Sequence, residues 1–235
     1  MVFRHFYDER LLPHLCNFEQ ERKDIEANGC CNLRVVVRFV LFLLTIPLVP
    51  AWYYVYPHYP FENYFSNWGV LLSATSFLLY SVIPMLKEWK SYPNLLALAH
   101  VVTIISMVSQ LIIFCIYWTL MNSEEFFIGR NELQKKFNVY CHTVPQAATL
   151  LNFLITDYLV YRRHVWPLQT VLVIFMASNA YETLSTGHAT YFFLTWKDIT
   201  TVYVIAAFVL TIALIIYGLA NLSELLKGRT LPTES

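Results

Sequence analysis

Long apolar runs separated by short polar stretches dominate the pattern of this chain. Six such runs cover residues 35–55, 65–86, 95–120, 138–161, 166–186 and 199–222. A bilayer hydrocarbon core is about 30 Å thick, so an α-helix needs about 20 apolar residues to cross it. Because unpaired backbone groups are not tolerated in lipid, the pattern predicts an all-α, polytopic bundle of six transmembrane helices.

These runs divide the chain into three parts. Residues 1–34 form a predicted cytosolic N-terminal segment, 35–222 the six-helix transmembrane domain, and 223–235 a cytosolic C-terminal tail. The first segment mixes charges with aromatic residues, which favours a short surface helix. Pro47 and Pro50 lie late in the first run and lack a backbone donor, so we expect a kink there.

The basic residues orient the predicted helices. Twelve of the sixteen lysines and arginines flank the helices on the side of the two termini. The other four, Arg130, Lys135, Lys136 and Lys197, fall on the opposite side. Because cytosolic flanks are enriched in basic residues, both termini are predicted to be cytosolic. The first helix is then an uncleaved signal anchor, in the endoplasmic reticulum or the plasma membrane.

The composition agrees with a membrane protein and argues against nucleic acid as a partner. Of the 235 residues, 57% are hydrophobic and 14% are charged, whereas soluble domains carry about 25% charged residues. Sixteen acidic residues balance sixteen basic ones. Without a basic patch, the chain has no electrostatic footprint for nucleic acid, and we expect none to bind.

The cysteines and histidines lack the spacing of a metal site or of a disulfide framework. The cysteine count, five, is odd, which argues against a disulfide framework. Cys30 and Cys31 lie just before the first helix, where palmitoylation and two unmodified thiols are both consistent with the sequence. No H-E-x-x-H pattern occurs, so we expect neither a metal nor another cofactor.

Four polar residues fall in one predicted layer near the outer surface, namely Ser66, His142, Glu182 and His188. A hydroxyl, an imidazole and a carboxylate are the ingredients of an activated nucleophile. The histidine takes the proton of the serine, and an acid orients the imidazole. The alternative is structural: Ser66 is then a helix N-cap, a position that serine favours, and His142 a packed side chain.

Several short motifs carry a family resemblance from about residue 35 to residue 225. Phe65-Ser66-Asn67-Trp68 resembles the Leu-Thr-Asn-Trp start of the second helix in rolling-stone-type proteins, which are similar in turn to the androgen-induced, multi-pass hydrolase family. Three further segments resemble that family's helix-four histidine, its basic connection before helix five and its outer loop; they are His142-Thr143, residues 161–167 and residues 187–196.

The resemblance implies a six-helix fold and, for the androgen-induced branch, hydrolysis of fatty acid esters of hydroxy fatty acids. It places the nucleophile at Ser66 and the histidine at His142. The branch's acid, ten residues after the histidine, corresponds to Asn152, so its charge is lost. Glu182 is a substitute candidate, with His188 as a further supporting candidate. The Asn67-Trp68 pair is closer to the rolling-stone branch, which implies membrane and cell-fusion roles without established catalysis.

Two functional hypotheses follow. In the first, the protein is an intramembrane hydrolase of lipid esters whose partners are membrane lipids or fatty esters. In the second, it is a non-enzymatic membrane protein that acts in adhesion or fusion, or as an accessory subunit bound to protein partners in the membrane.

Overall fold

The computed structural model describes residues 18–28, 32–86, 88–122, 128–156 and 158–227. In this part of the chain the regular secondary structure is helical, as predicted. The α-helices are α1 (Phe18–Asn28), α2 (Leu33–Thr45), α3 (Leu48–Val55), α4 (Phe65–Val82), α5 (Pro93–Ile116), α6 (Glu132–Ile155), α7 (Val165–Thr186) and α8 (Thr200–Lys227). Short 3₁₀ turns occupy Phe61–Asn63, Ile83–Met85, Trp89–Ser91 and Arg162–His164, and a π-helical turn at Tyr117–Met121 continues α5.

Four helical stretches are long and apolar enough to cross a membrane. They are Leu33–Val55, Phe65–Met85, Pro93–Met121 and Thr200–Leu226. Helices α6 and α7 have 24 and 22 residues, which is sufficient length, but both are more polar. The four apolar stretches indicate an integral membrane protein.

The first apolar run is broken where the prolines predict it. Helix α2 ends at Thr45, and α3 begins at Leu48 after Pro47, which serves as its N-cap residue. The ring of proline removes a donor and clashes with the preceding turn. The Thr45 hydroxyl donates to the Leu41 carbonyl (2.7 Å) at the same place.

Helix α6 differs from its predicted bounds at both ends. It starts at Glu132, because Asn131 and Gln134 form a capping box in which each side chain bonds to the other residue's backbone N–H. Such a cap satisfies donors that the first helical turn leaves open. The helix ends at Ile155, since Thr156 is extended. Hydropathy alone cannot locate these polar boundaries.

The chain divides into two compact units. One comprises residues 1–58 and 66–159, and the other comprises 59–65 and 160–235. In the first unit, a core cluster of Leu41, Phe77 and Ala148 joins α2, α4 and α6. Another cluster, of Leu48, Val70 and Cys141, joins α3, α4 and α6.

A buried ion pair ties α1 into the first unit. Arg38 and Glu21 are 0% and 2% exposed, and the guanidinium donates to both carboxylate oxygens at 2.6 and 2.7 Å. Arg38 also donates to the Tyr80 carbonyl, to Asn152 Oδ1 and to Thr156 Oγ1. The predicted surface helix of the N-terminal segment is therefore present as α1, but one of its carboxylates is buried.

The second unit holds α7, α8 and the turn at Phe61–Asn63. The Tyr191 hydroxyl accepts from the backbone N–H of Phe65 (2.9 Å), and burial raises the pKa of Tyr191. Val160 N–H donates to the buried hydroxyl of Ser223 (3.1 Å). The first bond joins the loop after α7 to Phe65, the residue that begins α4. The second joins the loop before α7 to α8.

Candidate active site

A polar seam runs between α4 and α5 in the first unit. It pairs Ser73, Ser76 and Tyr80 of α4 with Ser106, Thr103 and His100 of α5, in that order. The paired side-chain atoms are 2.9, 2.6 and 3.4 Å apart. Partner numbers fall as the numbers on α4 rise, so the two helices are antiparallel. Small hydroxyl side chains let membrane helices approach closely.

The seam becomes tightest at Gly69, near the start of α4. A Cβ atom at Gly69 would lie 2.6 Å from Ile113 Cδ1 and 2.9 Å from Gln110 Nε2 of α5. Residues three and four apart share one face of a helix. Continued by one turn, the same faces present Ser66 on α4 and Tyr117 after α5. The helix spacing therefore predicts that Ser66 and Tyr117 lie at a similar depth.

Tyr117 is the residue that sequence reasoning missed. Its side chain is fully buried, and its hydroxyl has no hydrogen-bond partner among the described residues. It is also the first residue of the π-helical turn at Tyr117–Met121. Single π-helical turns are rare and are frequent at functional sites. The ring of Tyr117 stacks on His142, with centroids 4.1 Å apart and planes 10° from parallel.

The imidazole of His142 is held in one orientation. Its Nδ1 lies 2.7 Å from the carbonyl oxygen of Asn138, one turn earlier in α6. A carbonyl oxygen can only accept, so Nδ1 carries the proton. In the neutral ring, Nε2 then bears the lone pair. This is the tautomer that a general base requires, with a backbone carbonyl as the orienting group.

A hydrogen-bonded cluster fixes the start of α6 above His142. Asn138 donates to the Tyr56 hydroxyl and to the Gln134 carbonyl, while Gln134 donates to the Val55 carbonyl (3.3 Å). Burial raises the pKa of Tyr56, although the nearby Arg130 guanidinium opposes that change. The end of α3 therefore anchors the turn of α6 that carries Asn138 and His142.

Ser66 lies on the first turn of α4 and is 8% exposed. It is the second helical residue, after Phe65, and its hydroxyl makes no capping bond within the described part of the chain. No hydrogen bond joins Ser66 to His142 among those residues either. Ser66 is therefore one residue inside the helix and not its N-cap residue, whereas His142 is packed as the structural alternative expects. The catalytic pairing stays a prediction.

The three candidate supporting residues lie elsewhere. Asn152 is buried and accepts from Arg38; ten residues separate it from His142, or about 15 Å along a helix. Glu182 and His188 belong to the second unit, on the last turns of α7 and just beyond it. The Glu182 carbonyl accepts from Thr186 (2.8 Å). A supporting role for Glu182 or His188 stays a prediction.

The palmitoylation candidates Cys30 and Cys31 lie outside the described residues. Within the described residues, no three His, Cys, Asp or Glu side chains come together as a metal site would require. The buried thiol of Cys141 packs between Leu48 and Val70 next to His142. It has the surroundings of a small apolar side chain.

No protein-family model, curated protein or solved structure matches this chain. A sequence signal for Tyr117 did exist: it continues the spacing of His100, Thr103, Ser106, Gln110 and Ile113 on one face of α5.

Proposed function

We propose that this protein is a six-span membrane hydrolase of lipid esters, with both termini cytosolic, Ser66 as its nucleophile and His142 as its general base. The observation that carries the proposal is the buried imidazole of His142, which stacks on Tyr117 and whose Nδ1 is held by the Asn138 carbonyl. Its Nε2 therefore bears the lone pair. Ser66, whose hydroxyl forms no hydrogen bond among the described residues, is predicted to lie at a similar depth. The resemblance to the androgen-induced family belongs to the same proposal and selects the same two residues.

The proposed chemistry uses four proton transfers, two in acylation and two in deacylation. Ser66 Oγ attacks the ester carbonyl carbon while its proton moves to His142 Nε2. The bond to the leaving alcohol then breaks, and His142 returns the proton to the alcohol oxygen. Water, deprotonated in turn by His142, attacks the acyl carbon, and the bond to Ser66 Oγ breaks. His142 then returns the proton to Ser66 Oγ, so the fatty acid is released and the serine hydroxyl is restored.

Two features of the site support this chemistry. The Asn138 carbonyl holds Nδ1–H, so the imidazole keeps its tautomer without the acid that Asn152 replaces. Catalytic hydrogen bonds are often long in the absence of substrate and tighten in the complex, so an unformed Ser66–His142 bond is compatible with the mechanism. A lipid ester reaches such a site laterally, from the acyl region of the bilayer.

Steady-state hydrolysis by the purified, reconstituted protein tests the proposal. A fluorogenic fatty ester should be cleaved by the wild-type protein, and Ser66→Ala and His142→Ala should each lower kcat at least about a hundredfold. Ser185→Ala, at an exposed serine that bonds only to the Glu182 carbonyl, is the matched control and should keep full activity. Equal rates for all four proteins would exclude the two residues.

The second hypothesis, an accessory subunit, is favoured by one observation on α8. In the most apolar part of Thr200–Leu226, 11% of the residues are buried in the isolated chain, and Leu210 and Leu214 are 64% and 74% exposed. Such a face suits lipid or a partner helix. The double variant Leu210→Trp, Leu214→Trp keeps this face apolar but blocks close packing of another helix. A native mass smaller for the variant than for the wild-type complex would support a protein partner, and an equal mass would contradict one.

A further inference from the structure

An open surface groove of about 410 Å³ lies along α6. It is lined by Lys135, Lys136, Val139, Tyr140, Thr143 and Val144. These residues form three neighbouring pairs, four positions apart, so they follow one another along the helix. The two lysines stand at the N-terminal end, and the side chains beyond them are mainly apolar.

The lysine end of the groove carries two ammonium groups, one of which is in an exposed ion pair. Lys135 Nζ lies 3.0 Å from Glu132 Oε1 in an exposed pair, the type that contributes little. Lys136 forms no ion pair among the described residues. Lys135, Lys136 and Arg130 are also three of the four basic residues on the predicted outer side, against the general bias of the chain.

The remainder of the groove suits an acyl chain. Val139 and Tyr140 are 37% and 40% exposed, and the exposed apolar face continues along α6 through Leu150 and Leu154. Thr143 also lines this part of the groove. Although α6 as a whole is rather polar, this face is that of a helix in contact with lipid.

We propose that this groove binds one anionic glycerophospholipid. Its phosphate contacts Lys135 and Lys136, and one acyl chain lies along Val139, Tyr140 and Val144. The order of charge and then apolar wall along α6 matches the order of headgroup and tail in a lipid. A free phosphate would leave the wall unused, and an acidic soluble peptide would leave it exposed to water. Basic residues near a membrane surface attract anionic lipids through the same electrostatics.

Native mass spectrometry of the full-length protein in detergent tests the site. Phosphatidylglycerol and phosphatidylcholine with identical acyl chains are added separately, and the two dissociation constants are compared. The wild-type protein should prefer phosphatidylglycerol about tenfold. Lys135→Ala combined with Lys136→Ala should abolish that preference, whereas Lys197→Ala, at another exposed lysine on the predicted outer side, should retain it.

A second variant separates the acyl wall from the charge. Val144→Trp fills the groove without removing a lysine, so it should weaken binding of both lipids. Equal preference in the wild-type protein and the double lysine variant would overturn the proposal. Competition by inorganic phosphate at the lipid's own concentration would also overturn it, because it would show a simple anion site. Both lysines are exposed, and an unchanged unfolding temperature verifies that the variants fold.

Discussion

The imidazole of His142 lies flat against the phenol ring of Tyr117, with centroids 4.1 Å apart. With Nδ1 bonded to the Asn138 carbonyl, one ring face and one ring edge of His142 are occupied. The Nε2 edge is the part that remains for chemistry. Tyr117 thereby links the α4–α5 seam, which leads to Ser66, with the helix that carries the imidazole.

Tyr117→Phe should leave thermal stability unchanged or raise it. A buried hydroxyl without a partner carries a desolvation cost of about 1–3 kcal/mol, and phenylalanine removes that hydroxyl while keeping the stacked ring. Tyr117→Ala should instead destabilise the protein by about 3–5 kcal/mol, since it removes the ring. Thermal unfolding of the purified variants measures both effects. A clear loss of stability in Tyr117→Phe would show that the hydroxyl is bonded.

Gly69→Leu should destabilise the protein by about 1–3 kcal/mol or more, because overpacking forces neighbours to shift. Even a Cβ atom there would approach Ile113 and Gln110 to 2.6 and 2.9 Å. Gly218→Leu is the matched control, since nothing lies within 4 Å of a Cβ built on that glycine of α8. Denaturation midpoints compare the two. Similar midpoints would contradict the close approach of α4 and α5.

Arg38→Met should cost about 3–5 kcal/mol, because it leaves the Glu21 carboxylate buried and unpaired. Glu21→Gln combined with Arg38→Met should recover part of that loss, since both charges are then absent. Arg34→Met is the control: Arg34 is 40% exposed and lies 3.9 Å from Glu21, so its removal should cost less than about 1 kcal/mol. A double variant less stable than Arg38→Met alone would refute a strong buried pair.

The proposed orientation can be tested by glycosylation. A glycosylation sequon flanked by Gly and Ser, inserted after Gly129 in the exposed turn before α6, should receive a glycan in microsomes. The same insertion in the tail at 223–235 should stay unmodified. Endoglycosidase-sensitive gel shifts report both. A glycan on the tail insertion, with none on the insertion after Gly129, would reverse the assigned sides of the membrane.

Hydropathy predicted much of the secondary structure but not the polar contacts. Helix α7 agrees with the run at 166–186, and α8 begins as the run at 199–222 predicts but continues to Lys227. The break at Pro47 follows from the chemistry of proline. The start of α6 was missed because a capping box, not apolarity, determines it. The six-span count exceeds the four apolar stretches, since polar residues along α6 and near both ends of α7 lower their hydropathy.

Sequence reasoning proposed Ser66 and His142 for the candidate site but missed Tyr117, and it did not give the geometry. The asymmetry of basic residues predicted a common depth for Ser66 and His142. It did not predict the direction in which each side chain faces around its helix. For α4, the three- and four-residue spacing from Gly69 to Tyr80 identifies the face that packs on α5, once the partner residues on α5 are known. Arg38 could have been recognised as a charge inside the first apolar run, which marks it for a buried partner.

Mapping a covalent fluorophosphonate adduct by tandem mass spectrometry tests the central claim most directly. The wild-type protein, reconstituted in nanodiscs, should carry the probe on Ser66. Labelling should disappear in Ser66→Ala, fall at least about tenfold in His142→Ala, where the base is lost, and persist in Ser185→Ala. An adduct on another residue, or labelling of Ser66→Ala equal to that of the wild-type protein, would contradict Ser66 as the nucleophile.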